Sequence, residues 1–581
     1  VGLGENIYKS FIDQLTVFKS QGAINDFSLF AYDWRQSVED VAQNGTPYPD
    51  DVTKSAIATV EQLASSSKSQ KVTIVAHSNG GLLAKAIMLE LEKTGQQDRV
   101  DKIVLVGSPQ MGTPLSLLSM LYGYEESLLN GVLLSQEDAR ELVEDMPGAY
   151  GLLPSVEYFN RVQDSFINFS SQNTRYKDFV DAYGEKIQDF AELKRFLLGT
   201  DDGRDKPVKN DVESENILND TLLAQTEAMH SRLDAWVPPA GVEVIQIAGW
   251  GVDTISGVKY SEKKKMSCYL FPVCSPADEY EPIYDPQFTV DGDKVVVAPS
   301  ALMLSEAANV KKYWINIREQ NKGFNVNRDH KGLLEIAAVK NFLDSVITND
   351  TTVPLPQFLS STRPEDSVDT DRRIRMSLYS PLDIHLYDDA GNHTGPKIVA
   401  VDGQETVVFE QNIPNSYYYQ FGERKYVGVP GDKHVRMEMD GYATGSYTLK
   451  LEEVAVTETG EEVAEDTVFE NLPTTADTAV VLDIPETGLV DLSSIEVDLD
   501  SNGTVDYQLA PVLGGVATLD VLPPVTSVSV TGPQGMNSWY TGDVEVSFAA
   551  TDNEGGSGVE KTEYSFDNGN SWIIYTEPII L

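Results

Sequence analysis

Two hydrophobic periodicities divide the chain. Up to about residue 348, short runs rich in Val and Ile alternate with stretches of helical spacing: ENIYKSFIDQLTVFKS, FSLFAYDW, DVTKSAIATVEQLASS, KVTIVAHS, GGLLAKAIMLELEKT and VDKIVLVGSP. That alternation predicts βα units around a mainly parallel sheet with helices on both faces. From TTVPLPQFLSSTRPED onward the helical spacing stops. Short alternating strands punctuated by Gly, Asp, Asn and Pro replace it, as in MSLYSPLDIHLYDDAGNHTG and GSYTLKLEEVAV, and predict a β-sandwich. PLPQFLSSTRPED is the expected linker, with a second boundary near VLPPVTSVSVTGPQG. The expected organisation is an α/β domain over 1–348, a β-sandwich over 349–521 and a partial β module over 522–581. Val1 falls in a helical pattern without an initiator Met, and the last unit stops at Leu581 in mid-strand, so both ends are expected to lie inside a longer chain.

Composition narrows the chemistry. A chain of 581 residues exceeds what one core supports. Ninety Asp and Glu against 44 Lys and Arg give a net charge of -46, which repels phosphate backbones and anionic headgroups, so nucleic acid is excluded as an expected partner. Such acidity suits the solvated surface of a secreted protein. No run reaches the roughly 18 apolar residues of a bilayer span. The two cysteines, Cys268 and Cys274 in MSCYLFPVCSP, sit in an expected loop, where they form either a small disulfide after export or two free thiols.

The apolar run KVTIVAHS ends on Ala76-His77-Ser78-Asn79-Gly80-Gly81, and GGLLAKAIMLELEK resumes at helical spacing. Strand, tight turn and helix form a nucleophile elbow, with small residues expected at Ala76 and Gly80 because the strained turn brings those positions against neighbouring chain. Ser78 would sit at the helix N-terminus, and the backbone amide of Asn79 would face an oxyanion. A serine nucleophile needs a base and an orienting acid, in the chain order Ser, Asp/Glu, His. Of the six histidines, His77 is expected to point the other way from the strand, His230 precedes a later strand, and His385, His393 and His434 lie in the β-rich half. His330, in NVNRDHKGLLEIAAVKNFL, follows the last αβ strand and precedes a closing helix, where the base belongs. For the acid, Asp293 in VDGDKVVVAPSALM is preferred to Asp253 in GWGVD.

FAYDWRQS, AHSNGG, VDKIVLVGSPQMGTP, MPGAYGLLPS, GDKVV and the Asp329-His330 pair resemble, in that order, the signature blocks of the lecithin:cholesterol acyltransferase-like lipases, over roughly residues 5–348. The resemblance implies an α/β hydrolase acting on lipid or other long-chain esters. It places the acid of a G-D-G-T-V block on Asp293, with Lys294 and Val295 where Gly-Thr is usual. Ala76 replaces the commoner first Gly of the elbow, a change some bacterial lipases share. The second oxyanion amide belongs to the loop before the first helix, so it is expected upstream of residue 1, with VGLGEN as the loop's tail. A helical insertion over about 112–240 is expected as a cap, with LSLLSMLYGYEESLLNGVLL and YGLLPSVEYF suited to an acyl-chain wall. No cofactor is required by this chemistry.

DLDSNGTVDYQL spaces Asp498, Asp500, Asn502 and Asp506 as oxygen ligands around a Gly, which suits a structural calcium. Leu509 stands where an EF-hand has its Glu, and a plain DSNG hairpin explains the same residues. The last unit resembles the Ig-like repeats of bacterial extracellular proteins, implying secretion or surface display and a cell-surface or polymer ligand. Three functions are therefore carried forward: a secreted serine esterase or lipase, a lipid acyltransferase of the same mechanism, and a non-catalytic adhesion protein on a hydrolase-like scaffold.

Overall fold

The computed structural model describes residues 7–581 except 49–51, 124–126, 129–131, 134, 163–165, 171–172, 175, 271–272, 366–371, 380, 402–403, 458–459, 520–523 and 553–557. After helix α1 (Lys9–Ser20), a five-stranded sheet is built from β1 (Val72–His77), β2 (Val100–Val106), β3 (Glu243–Trp250), β4 (Val310–Asn316) and β5 (Leu359–Ser360). Its spatial order is β5-β4-β3-β2-β1. The first four strands are mutually parallel, and β5 pairs antiparallel at the edge through Trp314↔Ser360 and Ile315↔Leu359.

Period-two alternation explains why this sheet is covered twice. In β2, Ile103 and Leu105 pack into a core with the helix α2 (Gly80–Lys93), while Val104 and Val106 pack into another with Phe11, Leu333, Val339 and Phe342. Each fully buried aliphatic side chain contributes roughly 1.5–3 kcal/mol, so neither face tolerates water. The arrangement is the mainly parallel sheet with helices on both faces anticipated from the periodicity, and it agrees with the α/β hydrolase that the resemblance implies. The edge strand β5 falls inside the stretch expected to be a linker, so the sheet extends beyond residue 348. Two residues of β-compatible sequence find a free edge there, and pairing satisfies backbone groups that a linker would leave to water.

Between β2 and β3 the chain forms several helices and a short strand, Ile167–Phe169, which pairs parallel to one arm of a hairpin made by Thr254–Leu270 and Val273–Thr289. This long hairpin had no clear sequence signal. Its backbone register sets Cys268 opposite Cys274, in strands rather than in the expected loop, and their side chains lie outside the described residues. Leu117, Leu118, Leu121 and Tyr122 of the expected acyl-chain wall are buried, together with Phe166, Phe179, Tyr260 and Tyr284. The side chains of 124–134, the rest of that wall, are also outside the described residues.

The β-rich half forms a six-stranded and a seven-stranded sheet. Burial alternates along Leu382–Asp388 and Arg373–Tyr379, whose inward residues Ile374, Met376, Leu378, Ile384 and Leu386 meet Met437, Met439, Leu449 and Leu451. A three-stranded sheet over Val525–Thr531, Glu545–Thr551 and Ile579–Ile580 follows. Among the described residues no helix is long and apolar enough to cross a membrane.

The two halves share one core rather than hanging from a tether. Tyr417, Tyr419, Phe421 and Tyr426 are buried in the same aromatic cluster as Tyr122 and Tyr284, and the Tyr426 hydroxyl donates to the Tyr284 carbonyl at 2.6 Å. Arg375 reaches the buried Asp253, which lies just past β3, and bonds Glu461 at 2.8 Å. Asp253→Ala leaves two buried guanidinium groups, Arg373 and Arg375, short of a carboxylate. It is expected to destabilise the protein by about 3 kcal/mol, read as a fall in the thermal midpoint, with the arrangement around Ser78 intact.

Candidate active site

Ser78 occupies the turn between β1 and α2 with φ +55, the left-handed region that few non-glycine residues enter. Its amide donates to the Val106 carbonyl of β2 at 3.0 Å, and its carbonyl accepts the Gly81 amide at 2.9 Å. These bonds hold the strained residue at the end of the sheet with its hydroxyl projecting. The small-residue requirement falls differently from the sequence expectation. A Cβ on Gly80 would meet Ala76 at 3.8 Å, an ordinary contact, whereas one on Gly81 would lie 2.1 Å from Ser108 Oγ. The close approach is therefore between α2 and the loop after β2, one residue later than the turn alone suggested.

The Ser78 hydroxyl lies 2.8 Å from His330 Nε2, and His330 Nδ1 lies 2.9 Å from Asp293 Oδ2. Asp293 is fully buried, and its other oxygen accepts the amides of Val295 at 3.2 Å and Val296 at 2.7 Å. With that carboxylate facing Nδ1, the ring carries its proton there and leaves Nε2 to accept the Ser78 hydroxyl. Burial acts to lower the His330 pKa, but the charge and hydrogen bond of Asp293, helped by Asp329, outweigh it, so the pKa is raised above the ordinary 6.5. Asp253, the alternative acid, is engaged with Arg375 instead.

His77 does not simply point away. Its ring packs 4.9 Å from the His330 ring, and its Nε2 donates to the His330 carbonyl at 2.8 Å. Its Nδ1 then accepts from the Tyr8 hydroxyl at 3.0 Å. Desolvation by burial, together with the nearby His330, lowers the His77 pKa to about 3, so the ring stays neutral in this role. The sequence signal for it was only its adjacency to Ser78; the partner lies 253 residues away.

Asn79 caps α2 with helical φ/ψ, and its backbone amide has no hydrogen-bond acceptor among the described residues. That amide sits beside Ser78 at a helix N-terminus, suited to an oxyanion. Burial, together with the nearby Tyr8, raises the pKa of the Tyr32 hydroxyl. Residues 1–6, the expected tail of the second oxyanion loop, lie outside the described residues.

The other histidines are placed elsewhere. His230 is buried between Asp234, 3.1 Å from Nδ1, and the Gly151 carbonyl, 3.0 Å from Nε2. His385 and His393 contact each other at 3.1 Å, and His434 lies 2.7 Å from Asp389. Asp498, Asp500 and Asp506 each bring an oxygen within 4.8 Å of the others. Asp498 accepts the amides of Asp500, Asn502 and Gly503, and Asp506 accepts that of Leu499 at 2.7 Å, so the loop's own amides hold these carboxylates. Asn502 is turned to the Thr504 amide at 2.9 Å.

Gly107, at the end of β2, has φ +56, and a Cβ there would stand 2.7 Å from Leu333 Cδ1, 3.0 Å from Asp293 Oδ2 and 3.2 Å from His330 Nδ1. Gly107→Ala is expected to push His330 and Asp293 apart. The measurement is the downfield Nδ1 proton resonance of His330 by NMR, which should be lost or shifted upfield in the variant while the far-ultraviolet dichroism is retained.

The lecithin:cholesterol acyltransferase family matches the chain over residues 4–335. Among solved structures, the Tle4–Tli4 complex is similar at 17% identity and a TM-score of 0.24 over 40% of this chain, which spans 46% of that one. The lipase BlEst2 of Bacillus licheniformis, in its propeptide form, is similar at 9% identity and a TM-score of 0.22, over 78% of this chain and 86% of that one. Phospholipase PlaB of Legionella pneumophila stands at 9% identity and a TM-score of 0.20, over 79% and 87%. No curated protein matches the chain. By the family match, which covers the parallel sheet and the loops carrying Ser78, Asp293 and His330, the chain belongs to the lecithin:cholesterol acyltransferase family.

Proposed function

We propose that the protein is a secreted serine hydrolase that cleaves the carboxylic esters of lipids. The observation that carries this reading is the unbroken hydrogen-bond line from Ser78 Oγ through the His330 ring to Asp293, at 2.8 and 2.9 Å. In the first step Ser78 Oγ attacks the ester carbonyl while His330 Nε2 takes its proton. Asp293, held by two backbone amides, stabilises the imidazolium that results. The Asn79 amide stabilises the oxyanion. Collapse expels the alcohol, which takes the proton back from His330, and leaves an acyl-serine. Water, activated by the same imidazole, then releases the fatty acid.

A lipid hydroxyl in place of that water would make the same site an acyltransferase, and the family match is the observation that keeps this second reading. Product analysis separates the two: free fatty acid marks hydrolysis, and a new ester marks transfer. The absence of a membrane-spanning helix among the described residues is compatible with export.

The test is labelling by a fluorophosphonate and hydrolysis of short and long acyl esters. Ser78→Ala is expected to abolish labelling and lower turnover by about 10⁴-fold or more. Labelling unaffected by that substitution would sink the assignment. The pH profile gives an independent check. Attack requires neutral His330, whose pKa is raised above 6.5, so kcat/KM is expected to fall on the acid side with its midpoint above 6.5.

A further inference from the structure

The segment Gln411–Tyr419 of the β-sandwich touches both loops that carry the acid and the base. On the acid side, the buried Tyr419 hydroxyl donates to the carbonyl of Lys294, the residue after Asp293, at 2.8 Å. Lys294 has φ +79, a conformation that glycine enters freely and lysine does not. Its amide is held by Thr254 Oγ1 at 2.8 Å, and its Nζ lies 3.4 Å from Gln411 Oε1 and 3.6 Å from Asp329. On the base side, Asn327 Nδ2 donates to the Gln411 carbonyl at 2.7 Å and to the Ser416 carbonyl at 3.0 Å. The Asn415 amide donates to Asn327 Oδ1 at 3.0 Å. Asn321 completes the tie, bonding Asn415 Oδ1 at 3.0 Å and the Arg328 carbonyl at 2.8 Å.

We infer that this sandwich segment is a positioning element: Tyr419 and the backbone around Gln411 and Ser416 set the spacing between Asp293 and His330. The inference rests on the hydrolase reading of the site. A lysine in the left-handed region relaxes when released, and the peptide that Tyr419 holds is the one between Lys294 and Val295, whose amide donates to Asp293 Oδ1 at 3.2 Å. Glycine would hold that turn unaided; Lys294 is held at both its amide and its carbonyl, and one of those holds comes from the other half of the molecule. Tyr419 and Asn327 act through Asp293 and His330 and need not touch substrate.

The experiment compares Tyr419→Phe and Asn327→Ala with Tyr426→Phe. The last removes sandwich bonds to the hairpin, at the Tyr284 carbonyl and the Asp285 carboxylate, that reach neither loop. Kinetics, thermal midpoint and the titration of the His330 ring by NMR are read for each. Tyr419→Phe and Asn327→Ala are expected to lower kcat by about five- to tenfold with KM unchanged. Tyr426→Phe should lose similar thermal stability with kcat unchanged. The groups facing His330 are Asp293, Asp329, Lys331, His77 and Ser78. Of these Asp293 does most to raise its pKa, so Tyr419→Phe should move the titration and the acid limb to lower pH. Adding Lys294→Gly to Tyr419→Phe should restore both, because glycine takes φ +79 without a brace.

A Tyr419→Phe protein with wild-type kcat and His330 titration would overturn the inference, as would a double variant that Lys294→Gly does not rescue. A wild-type protein without Ser78-dependent labelling would overturn the hydrolase reading instead. The NMR titration would still decide the positioning claim.

Discussion

His330 is bound to Asp293 at two points, and the rest of the site depends on that double attachment. Its backbone amide donates to the Asp293 carbonyl at 2.9 Å, and its ring Nδ1 faces the Asp293 carboxylate at the same distance. One bond places the loop and the other places the ring, so any displacement of the acid turn carries the base with it. From behind, His77 holds the His330 carbonyl. The imidazole is thereby left with one free direction, toward Ser78.

The blocks of the sequence that carry the family resemblance are contiguous in space because they build the floor around this attachment. The amide of Gly148 donates to the Arg35 carbonyl at 3.0 Å, joining MPGAYGLLPS to FAYDWRQS. Thr113 donates its amide to the Leu152 carbonyl at 2.8 Å, and Ser155 donates to Met111 at 3.0 Å, joining the loop after β2 to the same segment. Met111 in turn bonds Ser300, which follows the acid turn. Backbone hydrogen bonds between loops are satisfied here without regular secondary structure, which buried loops require.

Charge is distributed unevenly over this frame. With 44 cations against 90 anions in the chain, three arginines cluster in one short stretch, Arg372, Arg373 and Arg375, and the last two face Asp253 across the junction of the two halves. They meet Glu453, Glu461 and Asp253. Arginine suits such sites because its planar fork binds carboxylates in fixed geometry and stays charged when buried. The acid turn is thus flanked by ion pairs as well as by the Tyr419 bond, and the sandwich is joined to the hydrolase sheet on the side of Asp293.

The sequence by itself determined the parallel sheet, the strand, tight turn and helix around Ser78, and the candidate order Ser, Asp, His. These follow from local periodicity and from residue types that a short window contains, such as the strand KVTIVAHS running into a small-residue turn. It determined the two-part character of the chain as well, because a change from helical to alternating spacing is visible without any long-range contact. Only the tertiary structure shows that Asp293, and not Asp253, faces His330. Both follow β3, and nothing local shows that Asp253 is taken by Arg375, 122 residues away. The role of His77, the edge strand at Leu359–Ser360, the long hairpin of 254–289 and the braces on Lys294 were likewise hidden. Each depends on a partner distant in sequence, and a hydrogen-bond donor gives no local sign of which remote carbonyl it will meet. The left-handed Lys294 is the clearest case. Residue type argued against that conformation, and the bonds from Thr254 and Tyr419 impose it.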